Sequence, residues 1–460
     1  MTVACGSATV TVVRVLRWAA VRHALIVPDR ARRRLLLVAR GRGWDLPSVT
    51  LGRAHPGAVD EVIRAVRRRH RLAVSVLRTL ARPLDPRTGR PGVALELERL
   101  DERPLRTRGA RWVGREDLAS LRLRRRDDRE ALARWRDGGP GRAAWMRPGW
   151  RERALRWAER RIGARAIRVV QLRTWESSTV LRLTTRRGAY VFKAVEPPCE
   201  HEPRFTRWLA RRFPARIAPV VAVGAGGRWL LMRAVAGRPL AESRRLADWM
   251  RAAREYGRLQ RALVGDAALS RALGHRRRDL AWLGRALPRL LADPRALSVG
   301  GRARLRPPEI ARVRALGGDL RAGCRALARL GVPLALDHGD LWASNVLVGR
   351  RGPVYLDWED AVLSHPFWGA FMLPWSHGFW DRWGHRSAAA TRVRAAYLAG
   401  WAGAEASARD RAAFALARRL APVHHAAIWS RDVVPHLATS LETAALVPFF
   451  LRRVLEAARS

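Results

Sequence analysis

Residues 336–348 read Leu336-Asp337-His338-Gly339-Asp340-Leu341-Trp342-Ala343-Ser344-Asn345-Val346-Leu347-Val348, and Tyr355-Leu356-Asp357-Trp358-Glu359-Asp360 follows shortly after. Two apolar runs, Val346–Val348 and Val354–Leu356, flank a turn at Arg350–Gly352. Such runs around a glycine-bearing turn predict a hairpin. Its strands would bring Asn345 and Asp357, 12 residues apart in sequence, side by side at the open end. An amide oxygen and a carboxylate at one point are hard oxygen donors of the kind Mg²⁺ takes. A loop carboxylate, Asp340, lies just upstream. A lone loop aspartate is ordinarily a turn or cap residue, so the weight rests on the set.

Composition adds to this. The chain of 460 residues carries 89 Lys plus Arg against 40 Asp plus Glu, a net charge of +49. Yet it keeps one lysine, Lys193, and one asparagine, Asn345, and glutamine is nearly absent. Arg and Lys are not interchangeable where a compact point charge is needed. The strand-type run Tyr190-Val191-Phe192-Lys193 is therefore a second place to look for chemistry. The arginines spread along the whole chain and gather in no single arm, so the charge is read as a general bias toward arginine. The competing reading is a phosphate-rich partner, nucleic acid or an anionic membrane surface.

Hydrophobic residues make up 48% of the chain, ample for two or three domains. No apolar run is long enough to span a bilayer, and the most apolar, Leu446–Leu451, is far too short. The N-terminus lacks the basic start and apolar core of a signal peptide, so a cytoplasmic location is expected. Cys5, Cys199 and Cys324 form no CxxC pair and suggest neither a disulfide framework nor a zinc site.

Four segments are expected: an α+β unit over 1–121, a charged linker over 122–150 containing Gly138–Gly141, a β-rich lobe over 151–235 and a helical lobe over 236–460. In the first, His23–Val27, Leu35–Val38, Val93–Leu97 and Ala110–Val113 read as strands and Ala58–Leu72 as a helix with Val62, Ala65 and Val66 on one side. In the third, the helix Arg151–Arg161 precedes strands at Ile167–Leu172, Val180–Thr184 and Tyr190–Val195. The helix Glu202–Phe213 and strands at Val220–Val223 and Trp229–Arg233 follow.

His338-Gly339-Asp340 with Asn345, followed by Leu356–Asp360, resembles the aminoglycoside phosphotransferase and small-molecule kinase family. Gly339 stands where protein kinases have Arg, and Asp357-Trp358-Glu359 replaces their Asp-Phe-Gly. Ser364–Phe367 is similar to a segment found in some bacterial members. Glu202–Leu209 resembles the family's Glu-bearing helix and Leu230–Gly237 its hinge. The resemblance covers roughly 155 to 460. It implies an α+β fold with the two lobes of a protein kinase, ATP and Mg²⁺ as cofactors, and a defined set of roles. Asp340 would orient the acceptor hydroxyl and take its proton. Asn345 and Asp357 would hold Mg²⁺. Lys193, positioned by Glu202, would pair with the nucleotide phosphates. Ser177 and Ser178 would lie in the nucleotide loop, which has no Gly-rich motif. The Arg233 carbonyl and Val235 amide would bond adenine. His338 is read as a structural holder of the loop. Glu359 and Asp360 either assist the metal site or cap a following helix. Trp368, Trp375, Trp380 and Trp383 are read as packing. Trp342 and Ala343 depart from the small or polar residues common in relatives, which implies a different acceptor pocket.

Residues 1–121 resemble a Nudix hydrolase domain. Trp44–Pro47 is similar to that family's turn and Ala110–Val113 to its late strand, while Arg64–Leu72 falls where its metal-binding helix lies. Ala65, Arg68 and Arg69 occupy the three glutamate positions. Two cations there oppose metal binding, so a degenerate Nudix-like domain without hydrolase activity is expected.

The function expected for the whole chain is ATP-dependent transfer of the γ-phosphate to a hydroxyl of a small molecule. The arginine-rich large lobe favours a neutral or anionic acceptor. A catalytically silent ATP-binding regulator is the alternative, opposed by the completeness of the motif set. A nucleic-acid-binding role would need an arginine-lined groove, and nucleic acid is otherwise expected to bind only non-specifically.

Overall fold

Strand residues buried in consecutive runs, such as Leu35–Val38 and Val93–Leu97, organise the first part of the chain. The computed structural model describes residues 21–51, 59–80, 93–102, 108–138, 143–298, 303–403, 406–433 and 445–459. The N-terminal stretch read for a targeting signal, Cys5, Ala58 and Gly139–Gly141 lie outside them. Two compact units divide the described residues between Pro197 and Pro198.

The first unit begins with β1 (Val21–Ile26), β2 (Arg34–Arg40), β3 (Gly43–Asp45), β4 (Ser48–Leu51), α1 (Asp60–His70), β5 (Val74–Thr79), β6 (Val93–Arg99) and β7 (Ala110–Gly114). One sheet runs β4-β1-β6-β5, with β1 parallel to β6, and another runs β3-β2-β7. Val62, Ala65 and Val66 of α1 are buried in a cluster with Leu25, Leu36 and Leu95. The last turn of α1 carries Arg67, Arg68 and Arg69, which complements the helix dipole.

The segment read as a linker holds a helix, α2 (Arg126–Arg136), with Asp128, Ala131, Leu132 and Trp135 buried. This is the i, i+3, i+4, i+7 spacing of a core-facing stripe, hidden from a hydropathy reading because its first member is an aspartate. Asp128 accepts from Arg22 Nη1 at 2.6 Å and from the Leu46 amide at 2.8 Å. A buried carboxylate is tolerable with such partners.

After α3 (Trp150–Ile162), the strands β8 (Ala166–Thr174), β9 (Ser178–Thr185) and β10 (Gly188–Val195) form antiparallel pairs. They belong to the same unit as the residues before them. Buried Gln171 of β8 donates to the Val76 carbonyl and accepts from the Val76 amide, both at 2.8 Å.

The second unit holds α4 (Glu202–Arg212), the hairpin β11 (Val220–Gly224) and β12 (Trp229–Arg233), β13 (Arg238–Pro239) and α5 (Leu246–Arg261). Further short strands are β14 (Arg277–Arg278), β15 (Ala335–Asp337), β16 (Val346–Gly349), β17 (Gly352–Tyr355) and β18 (Val362–Ser364), in the ribbons β13-β16-β17 and β14-β18-β15. The other elements are chiefly helices, including Ala388–Ala402, Ala408–Ile428 and Leu446–Ala457. α5 packs tightly on Ala388–Ala402: a Cβ on Gly257 would meet the Tyr397 carbonyl at 2.6 Å, and one on Gly400 the Arg254 carbonyl at 2.0 Å. Trp249, Trp342, Trp358, Trp368 and Trp401 fill this core. Among the described residues, no helix is long and apolar enough to cross a membrane.

Candidate active site

The hairpin expected at 346–356 forms, with Val346 opposite Tyr355 and Gly349 opposite Gly352. At its open end the Leu356 amide donates to the Asn345 carbonyl at 2.9 Å. Asp357, the next residue, is thereby held beside Asn345. Asp357 has φ 67, a left-handed conformation that is uncommon outside glycine and that gathers at functional sites.

Asn345 is fully buried. Its Nδ2 donates to the Asp340 carbonyl at 2.8 Å and to Asp340 Oδ2 at 3.0 Å. The amide therefore turns its oxygen away from Asp340. That Oδ1 is buried and has no hydrogen-bond partner among the described residues, an arrangement that costs free energy unless something else satisfies it. One carboxylate oxygen from each of Glu202, Asp357 and Glu359 lies within 4.8 Å of the others. Like charges at this range repel, and a divalent cation relieves the repulsion. The donor set, three carboxylates and a carboxamide oxygen, fits the all-oxygen preference of Mg²⁺.

Other groups hold the loop. The His338 amide donates to the Tyr256 hydroxyl at 2.8 Å, its Nε2 bonds the Leu356 carbonyl at 2.9 Å, and its ring lies 4.4 Å from that of Trp358. His338 thus fastens β15 to the segment bearing Asp357. Gly339 has φ +76, and a Cβ there would lie 2.3 Å from the Asp360 carbonyl oxygen. No side chain fits where protein kinases carry Arg. The Arg278 guanidinium donates to the Asp360 carbonyl at 3.4 Å and pairs with Asp432 at 3.1 Å. No helix starts after Asp360; the chain enters β18 instead, so the helix-cap reading of Glu359 and Asp360 does not hold. Burial pushes the Asp337 carboxyl up to about 7, against the lowering effect of the Gly339 amide and nearby Arg278.

The remaining expected residues are placed as follows. Lys193 is buried on β10, opposite Val180 of β9. Ser178 is fully buried at the start of β9, with Arg173 Nη2 at 3.5 Å from its hydroxyl, and half-buried Ser177 accepts through its carbonyl from the Glu196 amide at 3.0 Å. Arg233 ends β12, its amide donating to the Pro219 carbonyl at 2.9 Å, and Val235 follows half-buried. Trp342 is buried near Phe450, with ring centroids 6.3 Å apart. Trp368 stacks on His424 at 4.7 Å, and Trp380 on His385 at 3.8 Å.

Sequence reading missed Tyr256, Arg278 and Gln260. Gln260 Nε2 donates to the Leu336 carbonyl at 2.6 Å and the Pro366 carbonyl at 3.0 Å, while its oxygen accepts from Tyr397. It was findable by the argument that singled out Asn345: an amide kept in a chain nearly without amides.

A family model described as the phosphotransferase enzyme family matches residues 168–424, more than half of the chain. The chain belongs to that family. Among solved structures, similarity extends to a choline/ethanolamine kinase family protein from Mesorhizobium loti, at 15% identity over 64% of this chain and 88% of that one, TM-score 0.47. It extends also to a spectinomycin phosphotransferase in complex with ADP and spectinomycin, at 8% identity, 67% and 98% coverage and TM-score 0.45. A choline kinase from Cryptosporidium parvum Iowa II matches at 12% identity, 68% and 92% coverage and TM-score 0.46. No curated protein matches the chain. Membership of the phosphotransferase family agrees with the α+β, kinase-like reading of the sequence. The family match begins at residue 168.

Proposed function

We propose that this phosphotransferase moves the γ-phosphate of ATP to a hydroxyl of a neutral or anionic small molecule. The observation that carries the proposal is the convergence, at one end of the β16–β17 hairpin, of Asp340, the buried Asn345 oxygen without a partner among the described residues, and the Glu202–Asp357–Glu359 carboxylates. Phosphoryl transfer asks a protein mainly for alignment and charge neutralisation, and these groups supply both.

Asp340 is the base. One of its carboxylate oxygens is fixed by the Asn345 amide, which leaves the carboxylate to orient the acceptor hydroxyl and receive its proton. Asn345 Oδ1 and Asp357 would hold Mg²⁺, which neutralises phosphate charge when bound, and Glu359 and Glu202 stand near enough to join them. Lys193 would pair with the phosphates, with Glu202 as its positioning residue. Ser177 and Ser178 would border the nucleotide, and the Arg233 carbonyl and Val235 amide would meet adenine. The lobe assignments 151–235 and 236–460, a cytoplasmic setting, and a hydrolytically inactive Nudix-like domain over 1–121 belong to the same proposal. In that domain Ala65 is buried and Arg68 and Arg69 are exposed, so no carboxylate stands at those three positions of α1.

Two measurements test the proposal. ATP with Mg²⁺ raises the melting temperature through binding to the folded state; no shift with any purine nucleotide at millimolar levels refutes it. Asp340→Asn keeps that shift and loses phosphate transfer by about 10²–10⁴-fold, the usual worth of a positioned base, whereas Asp357→Asn weakens the Mg²⁺–nucleotide complex. Wild-type transfer by Asp340→Asn overturns the role given to Asp340.

A further inference from the structure

A cavity of about 240 Å³ lies in the helical part of the second unit, with Arg386, Arg394, Arg418 and Arg453 among its lining residues. Three stretches of chain supply them. Arg394 belongs to the helix Ala388–Ala402 and Arg386 just precedes it, Arg418 belongs to Ala408–Ile428, and Arg453 to Leu446–Ala457. The size falls a little below that of the usual small-molecule pocket, roughly 300–1,000 Å³, and suits a compact ligand.

The cations crowd one another. Burial and the neighbouring Arg418 lower the Arg394 guanidinium to about 10. Arg453 is lowered too, by burial first and in smaller part by Arg452 and Arg386, with Glu456 opposing. Glu456 is the one carboxylate of the lining, and it is already engaged by Arg453 and by His385 Nε2, the latter at 3.2 Å. Among the described residues no carboxylate pairs with Arg386, Arg394 or Arg418. Arg394 donates instead to the His385 carbonyl at 3.1 Å and the Thr391 hydroxyl at 3.3 Å, which fixes its direction without neutralising it. The Arg453 Nε is buried and has no hydrogen-bond partner among the described residues. Guanidinium groups converging on one cavity repel one another unless an anion lies between them.

The cavity stands apart from the catalytic loop. Its lining falls between residues 371 and 457, and none of it comes from 336–360. Trp342, two residues past Asp340, packs on Phe450, and Phe450 packs on Trp375 with ring centroids 5.7 Å apart. Trp342 and Phe450 are fully buried, and of the three rings only Trp375 reaches the cavity. A layer of aromatic side chains therefore separates it from the loop.

We propose that this cavity binds a small phosphomonoester, its phosphoryl group held by Arg386, Arg394 and Arg418 and its organic group resting on Phe371, Trp375 and Pro422. A phosphomonoester carries close to two charges near neutral pH, and arginine presents planar paired donors that match its oxygens. A monocarboxylate would leave more of the positive charge uncancelled, and inorganic phosphate would leave the apolar wall uncovered. Neither metal nor nucleotide is needed, so the inference goes beyond the proposed transfer chemistry and does not depend on it.

The test is calorimetric titration of the full chain with phenyl phosphate, in EDTA and without nucleotide. Saturable binding is expected, at least tenfold weaker in Arg386→Gln/Arg418→Gln. It should be unchanged in Asp357→Asn and in Arg160→Gln/Arg161→Gln, an equal loss of charge at exposed positions of α3. Benzoate, with the same ring and one charge, and orthophosphate, with no ring, should each bind at least tenfold more weakly. Arg386 and Arg418 are exposed, so their double variant should melt like the wild type; Arg418→Gln alone, expected to weaken binding several-fold, provides the same comparison if it does not. Binding should also weaken as salt rises. No binding at millimolar phenyl phosphate, equal binding by wild type and the Arg386 and Arg418 variants, or equal weakening by the α3 pair overturns the proposal. So does benzoate or orthophosphate binding as tightly as phenyl phosphate, or a single-stranded oligonucleotide that binds through these arginines while phenyl phosphate does not.

Discussion

Gly339→Ala is the most discriminating single substitution in the site, because a control glycine with open surroundings exists in the same unit. Gly339 and Gly384 both have φ +76, a backbone that L side chains rarely adopt. Alanine is strained at either position, by about 1–3 kcal/mol. Their surroundings differ. A Cβ on Gly384 meets nothing within 4 Å, whereas one on Gly339 lies 2.3 Å from the Asp360 carbonyl oxygen and 2.8 Å from the Asp360 Cβ. The obstacle is backbone, not the movable end of a side chain, so the chain must shift at 339 or at 360. Overpacking of this kind costs roughly 1–3 kcal/mol more. Gly339→Ala should therefore lose about 2–6 kcal/mol and Gly384→Ala about 1–3 kcal/mol, read as urea midpoints by tryptophan fluorescence. Function should separate the pair further. Displacing Asp360 drags on Glu359 and Asp357, two of the clustered carboxylates, and displacing Gly339 moves Asp340. The Mg²⁺–ATP affinity should fall in Gly339→Ala and hold in Gly384→Ala. Equal midpoints and equal nucleotide affinities for the two variants would refute the claim that the tight approach of 339 to 360 builds the site.

Three further outcomes are expected. The full chain should show no metal-dependent cleavage of nucleoside diphosphate compounds; turnover with Mg²⁺ or Mn²⁺ that a substitution within Arg64–Leu72 abolishes would contradict this. Stability should fall in mild acid. Burial lowers His365 to about 3 and His425 to about 4, with the Trp368 carbonyl partly opposing the shift at His425. A depressed histidine contributes fully above its unfolded value near 6.5, and loses that contribution as pH falls. By pH 4 each forfeits about 3 kcal/mol, and His425→Gln should flatten the decline in midpoint between pH 7 and pH 4. Aminoglycosides, being polycations, should be poor acceptors for a large lobe rich in arginine; kcat/KM for a kanamycin-type compound at or above about 10⁴ M⁻¹s⁻¹ would show that the charge argument fails.

The hairpin was legible because its two apolar runs and its turn lie within a dozen residues, and local pattern alone sets their register. Helix α1 was legible for the same reason. α2 was not: its inward face starts with Asp128, and only Arg22 and the Leu46 amide, more than eighty residues away in sequence, make a carboxylate acceptable there. Strand β13 and the ribbon β14-β18-β15 escaped notice because strands of two or three residues carry no periodicity to read. The carboxylate cluster was only half visible. Asp357 and Glu359 are neighbours in sequence, but Glu202 arrives from α4, and nothing local announces its meeting with them.

The scarcity argument needs the finer form that the structure gives it. In a chain that has replaced nearly every lysine and amide, survival at a position marks a need for that side chain, but the need is not always catalytic. Gln171 and Gln260 both survive as buried two-way connectors: Gln171 donates to the Val76 carbonyl and accepts from the Val76 amide, and Gln260 donates to the Leu336 and Pro366 carbonyls and accepts from the Tyr397 hydroxyl. Arginine cannot replace them, because it has no acceptor. Asn345 shows the same requirement half used. Its amide nitrogen is engaged by Asp340, while its oxygen is buried with no protein partner among the described residues. That difference, and not rarity, is what separates Asn345 from the glutamines. A retained amide whose donor and acceptor are both satisfied by protein is structural, and one whose buried acceptor has no partner among the described residues, at the strand end that carries Asp357, is positioned for a cation.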